Sequence, residues 1–232
     1  MQPRRIFVTG TDTGVGKTRV AAALCTVFAA RGQRVSAMKP VASGCASTSE
    51  GLRNEDALTL MAASNVRLRY CEVNPYAFAP AIAPHIAAAE AGVTIDFEIL
   101  DRAFQRLSLQ SDVLIVEGAG GWLAPLDATR GFADLAARWR MEVILVIGMR
   151  LGCLNHALLT AESIRRHGLH LSGWVANVID EQFERLAENV DSLRMRLAAP
   201  CIGFLPFQVS CDAPKVAGSL DVDVLTARAE LS

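Results

Sequence analysis

Short apolar runs alternate with longer amphipathic stretches along this chain. Arg5–Thr9 reads as a buried strand, and a glycine-bearing turn follows it. Over Lys17–Arg31 the residues Val20, Ala21, Leu24, Val27 and Phe28 recur at three- and four-residue intervals, which places them on one helix face. Gly32 fits the stop of that helix. Arg34–Met38 reads as a second strand, closed by Lys39 and Pro40. Asn54 and Asp96 are N-cap candidates for helices running to Ala63 and Leu107. Val113–Val116 and Val143–Ile147 are strands, Leu154–Arg166 a helix and Leu171–Val178 a strand. Glu181–Leu197 reads as a long polar-faced helix and Cys201–Leu205 as a last core strand. Uninterrupted apolar strands belong to a sheet covered on both faces. With strands and helices alternating, the pattern predicts an α/β fold: a mostly parallel sheet with helices on both faces, one domain over 1–232. Ligands of such sheets bind at the carboxyl ends of the strands.

Composition narrows the class. Of 232 residues 51% are hydrophobic and 20% charged, which excludes a disordered chain. A net charge of -1 gives no basic field, so neither nucleic acid nor a membrane surface is an expected partner. No apolar run approaches the roughly 18–20 residues of a membrane span, and Ile6–Val8 is too short for a secretory leader. Six cysteines show no CxxC pair and no zinc spacing, as expected of reduced thiols in a cytoplasmic protein. His85, His156, His167 and His170 form no catalytic constellation with serine, cysteine or aspartate; His167 and His170 fall at a helix end and turn. Only Lys17, Lys39 and Lys215 of the 23 basic residues are lysine. A lysine retained in an arginine-rich chain marks a place where a compact point charge differs from a planar fork.

The strongest signal runs from Gly10 to Thr18 and ends in Gly16-Lys17-Thr18, after a strand and at the start of a helix. That is the context of a P-loop, although the usual first glycine is displaced by one position, from Thr11 to Gly10. Backbone N–H groups and the helix N-terminus can still cradle phosphates. Lys17 reaches the β- and γ-phosphates in such a loop, and the Thr18 hydroxyl binds Mg²⁺. Glu117 ends a buried strand and is a candidate for Mg²⁺ or its water shell; the same position also suits a solvated strand-end carboxylate. Gly118-Ala119-Gly120-Gly121 after it lets backbone approach a ligand closely. Asp56 is not assignable by spacing and also suits the dipole of a helix start. Lys39 lies on the same sheet edge as the loop, either neutralising charge near the γ-phosphate or exposed at a strand end.

With these motifs in view, the chain resembles the dethiobiotin synthetase family over nearly its whole length. The resemblance is carried by Phe7–Thr13, Gly16–Thr18, Lys39–Gly44, Gly51–Asn54, Asn74–Tyr76, Pro84–Ile86, Val116–Trp122, Leu151–Cys153, Asn155–His156 and Gly173–Asn177. It implies an ATP- and Mg²⁺-dependent ligase of biotin synthesis. Diaminopelargonate takes up CO₂ as a carbamate, ATP phosphorylates the carbamate, and the second amine closes the ureido ring of dethiobiotin, releasing ADP and phosphate. Carried over by position, the family puts Mg²⁺ at Thr18, Asp56 and Glu117, and nucleotide at Gly14, Val15, Gly16, Lys17, Thr18 and Arg19 and at Glu117, Gly118, Ala119 and Gly120. Asn177 reads adenine, flanked by Pro206, Phe207 and Gln208. Thr13, Lys39 and Ser43 meet diamine and carbamate, with Lys17 and Lys39 as the catalytic cations. A homodimer is implied, in which backbone around Gly152, Cys153 and Asn155 of the partner chain holds the substrate tail. Gly14 departs from family members that carry glutamate there, and the chain from Phe207 to Asp212 drifts from the family pattern.

Two other classes compete. A glutamine-dependent amide synthase needs a further glutaminase domain, for which 232 residues leave little room. A partitioning or maturation ATPase often carries a second lysine early in the loop, where this chain has Asp12. From sequence, Lys39→Ala is expected to remove turnover while sparing the fold, and Lys215→Ala to be mild.

Overall fold

The computed structural model describes residues 3–207 and 213–226. The first part of the chain contains β1 (Arg4–Gly10), α1 (Lys17–Ala30), β2 (Val35–Met38), β3 (Val41–Ala42), β4 (Ala46–Thr48), β5 (Gly51–Arg53), α2 (Glu55–Ala63), α3 (Tyr70–Val73) and β6 (Tyr76–Ala77). Then follow α4 (Pro84–Glu90), α5 (Phe97–Gln110), β7 (Val113–Glu117), α6 (Phe132–Arg138), β8 (Glu142–Met149), α7 (Cys153–Arg166), β9 (Leu171–Val178), α8 (Leu186–Arg196), β10 (Cys201–Leu205), α9 (Ala213–Ala217) and α10 (Asp223–Thr226).

Six strands form one sheet in the order β10-β9-β8-β1-β7-β2, and every pairing in it is parallel. Side chains alternate across the pleat. Phe7, Leu114 and Val116 therefore pack on one face with α5 and α6 residues, and Ile6, Val8, Val113 and Ile115 on the other with α1. That two-sided burial is why the strands read as unbroken apolar runs. The chain winds out from β1 to β2, returns to β7, then crosses to β8, β9 and β10 on the other side. The reversal lies at β1, and the crevice at its carboxyl end is where such folds bind ligands.

Caps are where the polar pattern put them. The Asn54 side chain accepts from the Ala57 N–H, and the Asp96 side chain accepts from the Glu98 N–H. One expected element differs in extent and one in its place in the sheet. The helix expected from Glu181 begins at Leu186, because Arg185 is left-handed at φ 54° and Asp180 draws the Gln182 N–H into a tight turn. β10 has the expected bounds and sends Ile202 and Leu205 into the core, but it lies at the sheet edge, where Gly203 bridges to Leu220 and Phe204 is exposed. The helix α6 was not expected; its seven residues are too few to show a period.

Candidate functional site

The loop between β1 and α1 is built on left-handed glycines. Gly16 has φ 93° and turns the chain directly into α1. A Cβ there would meet the Asn177 amide nitrogen at 2.4 Å, so both conformation and space require glycine. Among the described residues, nothing accepts a hydrogen bond from the N–H groups of Gly14, Val15, Gly16, Lys17 or Thr18. These donors are available to an anion, at the positive end of a 14-residue helix. Lys17 is buried, and its Nζ donates to the Asp12 carbonyl at 2.9 Å. Burial, and then the charge of Lys39, lower its ammonium to about 8.

Opposite the loop, three strand and helix ends deliver one charged cluster. Lys39 leaves β2, Glu117 ends β7, and Asp56 lies in the first turn of α2. Lys39 Nζ donates to Glu117 Oε1 at 2.6 Å, Asp56 Oδ2 at 2.9 Å and the Gly118 carbonyl at 3.2 Å. All three ammonium protons are thus engaged. Lys39 is 3% exposed and Glu117 0%, whereas the Asp56 side chain is half open to solvent. Burial pulls the Lys39 ammonium down, but the Glu117 and Asp56 carboxylates outweigh it and hold the group above its ordinary value. Burial pushes Asp56 up, and Lys39 more than offsets this, leaving it below the usual range. Burial pushes Glu117 up, and Lys39 and Thr18 only partly return it.

Thr18 Oγ1 donates to Glu117 Oε1 at 2.9 Å, tying loop to cluster. Glu117 Oε2 is buried with no hydrogen-bond partner among the described residues. An orphaned buried carboxylate oxygen beside a hydroxyl and a second carboxylate is a donor set suited to a hard cation. Mg²⁺ characteristically takes one or two carboxylates, with phosphate oxygens and water completing its shell. Thr18, Asp56 and Glu117 fit that requirement.

These groups line one cavity of about 740 Å³. It gathers Thr13, Gly14, Gly16, Lys17, Thr18, Lys39, Ser43, Asp56, Glu117, Ala119 and Gly120 from the residues expected by sequence. Gly121, from the glycine turn expected to approach a ligand, lines it too; Ala42, Asn54, Ala124 and the segment Ala81–Pro84 also line it and were not assigned to a site from sequence. The alanines carry no chemical signal, and Asn54 had already been read as a cap.

Other expected residues stand outside that lining. The Val15 side chain is buried beneath the loop. Gly118 donates its N–H to the Val8 carbonyl and accepts from Lys39. Asn177, at the end of β9, donates its Nδ2 to the Val15 carbonyl at 2.8 Å and accepts from Arg19 Nη1 at 3.5 Å. Strand register pairs Leu205 with Asn177, so Pro206 and Phe207 leave the sheet beside it, both exposed. Gln208 lies outside the described residues. Gly152, Cys153 and Asn155 stand at the start of α7 and do not line the cavity. Cys153 packs in an apolar cluster, and burial pushes its thiol up, so only its backbone is on offer.

A family model described as an AAA domain matches residues 4–215. The chain is 50% identical over 222 residues to the ATP-dependent dethiobiotin synthetase BioD of Xanthomonas oryzae pv. oryzae, covering 96% of this chain and 99% of that one. To the ATP-dependent dethiobiotin synthetase BioD of Pseudomonas aeruginosa it is 51% identical over 217 residues, covering 93% and 95%. Among solved structures, the signal recognition particle receptor FtsY of Elizabethkingia anophelis superimposes with a TM-score of 0.52 at 16% identity. That match takes in 100% of this chain and 66% of the receptor, so the chain spans just under two thirds of the receptor's length, and it bears on the fold alone. The expected P-loop NTPase-type sheet is the one observed.

Proposed function

We propose a reaction for this chain on the premise that it belongs to the family of ATP-dependent dethiobiotin synthetases and is an ATP-dependent ligase. Diaminopelargonate binds beside the triphosphate and takes CO₂ on one amine, giving a carbamate. The carbamate oxygen attacks the γ-phosphorus of ATP, and ADP leaves. The second amine then attacks the carbamoyl phosphate carbon, phosphate leaves, and the cyclic urea of dethiobiotin closes.

The observation that carries this reading is the pairing of two buried lysines in one cavity, Lys17 on the phosphate loop and Lys39 on the acid cluster. A carbamate and a triphosphate are both anions, and bringing them into contact needs fixed positive charge that does not reorganise. Lys17 and the free loop amides bind the β- and γ-phosphates. Lys39 faces the carbamate and the transferring phosphoryl group. Thr13 and Ser43 orient the diamine, and the apolar segment Ala81–Pro84 keeps water from the carbamoyl phosphate. Thr18, Asp56 and Glu117 hold Mg²⁺, which supplies Lewis-acid neutralisation of the phosphates when bound. Asn177 keeps the loop in shape through Val15 and meets the adenine edge, with Pro206, Phe207 and Gln208 flanking the base. Gly152, Cys153 and Asn155, which do not line the cavity of their own chain, serve a partner's site in a homodimer. Residues 1–232 act as one ligase domain in the cytoplasm; none of the described helices is long and apolar enough to cross a membrane.

The test is a product assay with purified protein, ATP, Mg²⁺, bicarbonate and diaminopelargonate, following dethiobiotin by mass and ADP in parallel. Equal yields of both support the reaction. ADP released at one rate with or without the diamine, and no dethiobiotin, replaces it with a nucleotide switch.

A further inference from the structure

Lys39 and Asp56 come from separate elements and meet at 2.9 Å. What holds them in register lies behind the cavity, in α3 and the residue that ends it. The Lys39 N–H donates to the Val73 carbonyl at 2.8 Å, and the Lys39 carbonyl accepts from Asn74 Nδ2 at 2.7 Å. Asn74 is 3% exposed. Its second amide proton goes to the Tyr76 carbonyl at 3.1 Å, and its Oδ1 accepts from the Tyr70 hydroxyl at 3.0 Å. The Tyr70 oxygen in turn accepts from the Asn54 N–H at 2.7 Å. Asn54 is the cap of α2, two residues before Asp56.

The polarity of this chain of bonds is fixed. Lys39 and Tyr76 present carbonyls, so Asn74 must turn its NH₂ toward them and its oxygen toward Tyr70. The Asn54 N–H can only donate, so the Tyr70 hydroxyl proton is committed to Asn74. The Arg53 guanidinium lies over the Tyr70 ring at 4.2 Å and clamps it. A connected series with a single bonding pattern holds a distance more sharply than packing alone. Neither Tyr70 nor Asn74 lines the cavity, so neither touches substrate.

We propose that Tyr70 and Asn74 are positioning residues that set the separation of Lys39 and Asp56, and with it the cation site against which the transferred phosphoryl group is neutralised. This rests on the reading of Lys39, Asp56 and Mg²⁺ given above. Residues that orient ligating groups from behind typically contribute about 10- to 100-fold in metal affinity or activity.

The experiment compares wild type, Tyr70→Phe, Asp56→Asn and the double variant. It reads kcat and KM for ATP in the product assay, and separately the factor by which Mg²⁺ strengthens ATP binding by calorimetry. Tyr70→Phe is expected to lower kcat and the Mg²⁺ factor about tenfold, with KM for ATP at saturating Mg²⁺ changed less than about twofold. In the Asp56→Asn background the same change is expected to cost less than about twofold, because the group it positions is already gone. Asn74→Asp keeps an acceptor for Tyr70 and loses the donors to Lys39 and Tyr76, so it reads the same coupling from the other end if Tyr70→Phe folds poorly. Equal losses in both backgrounds, or a lowered melting temperature with kcat and the Mg²⁺ factor unchanged, overturn the proposal. Failure of wild type to form dethiobiotin overturns the reaction instead, and the calorimetric arm still decides the coupling.

Discussion

Replacing Lys39 by methionine keeps an unbranched stem of similar length and removes one charge from the most buried polar cluster of the site. The sequence alone led to the expectation that truncating Lys39 spares the fold. The geometry keeps that expectation and adds a cost in stability. Glu117 is 0% exposed, and its Oε1 loses an ammonium at 2.6 Å while its Oε2 has no hydrogen-bond partner among the described residues. Removing one partner of a buried ion pair costs about 3–5 kcal/mol, because the other charge is left uncompensated. Against a typical domain stability of about 5–15 kcal/mol the variant still folds. At about 2–4 °C per kcal/mol for a chain of this size, its melting temperature falls by roughly 6–20 °C. Glu117 escapes part of the cost by taking up a proton, since burial raises its carboxyl and Lys39 no longer opposes this. A group whose folded-state pKa is raised holds more protons folded than unfolded, so its contribution is lost as pH rises through that raised value. The deficit in melting temperature is therefore smaller at pH 5 than at pH 8. Adding Glu117→Gln removes the stranded charge and is expected to recover at least half of the deficit, while dethiobiotin formation stays abolished. Scanning calorimetry of the metal-free proteins at the two pH values measures this. A deficit below about 2 °C at both, or a double variant no more stable than the single one, would refute the argument from charge burial.

Three more outcomes follow from the same geometry. ATP affinity, measured by calorimetry, is expected to hold below pH 8 and to fall above it by up to about tenfold per unit; Lys17 is lowered to about 8 in the free protein, and bound phosphate raises it, so binding takes up a proton in that range. Gly16→Ala puts a Cβ 2.4 Å from the Asn177 amide and should lower ATP affinity more than tenfold, whereas Gly14→Ala meets no atom within 4 Å and carries only the left-handed strain of about 1–2 kcal/mol in a urea titration. Lys215→Ala, on an exposed position of α9, should leave turnover unchanged and stability within about 0.5 kcal/mol, which product yield and melting curves check together.

Features that depend on neighbours along the chain were legible before folding. The loop into α1 was legible because glycine, lysine and threonine must occupy fixed offsets for backbone amides and the helix start to face one anion. The caps at Asn54 and Asp96 were legible because a cap bonds within three residues. The parallel sheet was legible because burial on both faces removes polar alternation from each strand. Contacts between distant segments account for the remainder. Lys39 reads as a phosphate partner or an exposed strand end until β2 and β7 lie side by side and Glu117, 78 residues on, takes its ammonium. Asn177 braces the loop across 162 residues. Tyr70 and Asn74 bear no spacing signal, since their partners belong to β2 and the start of α2. Even the false start of α8 was a question of one backbone angle at Arg185, set by a turn that polar periodicity does not encode. Local bonding leaves its mark in adjacent residues; charge neutralisation between strand ends leaves none until the chain has folded.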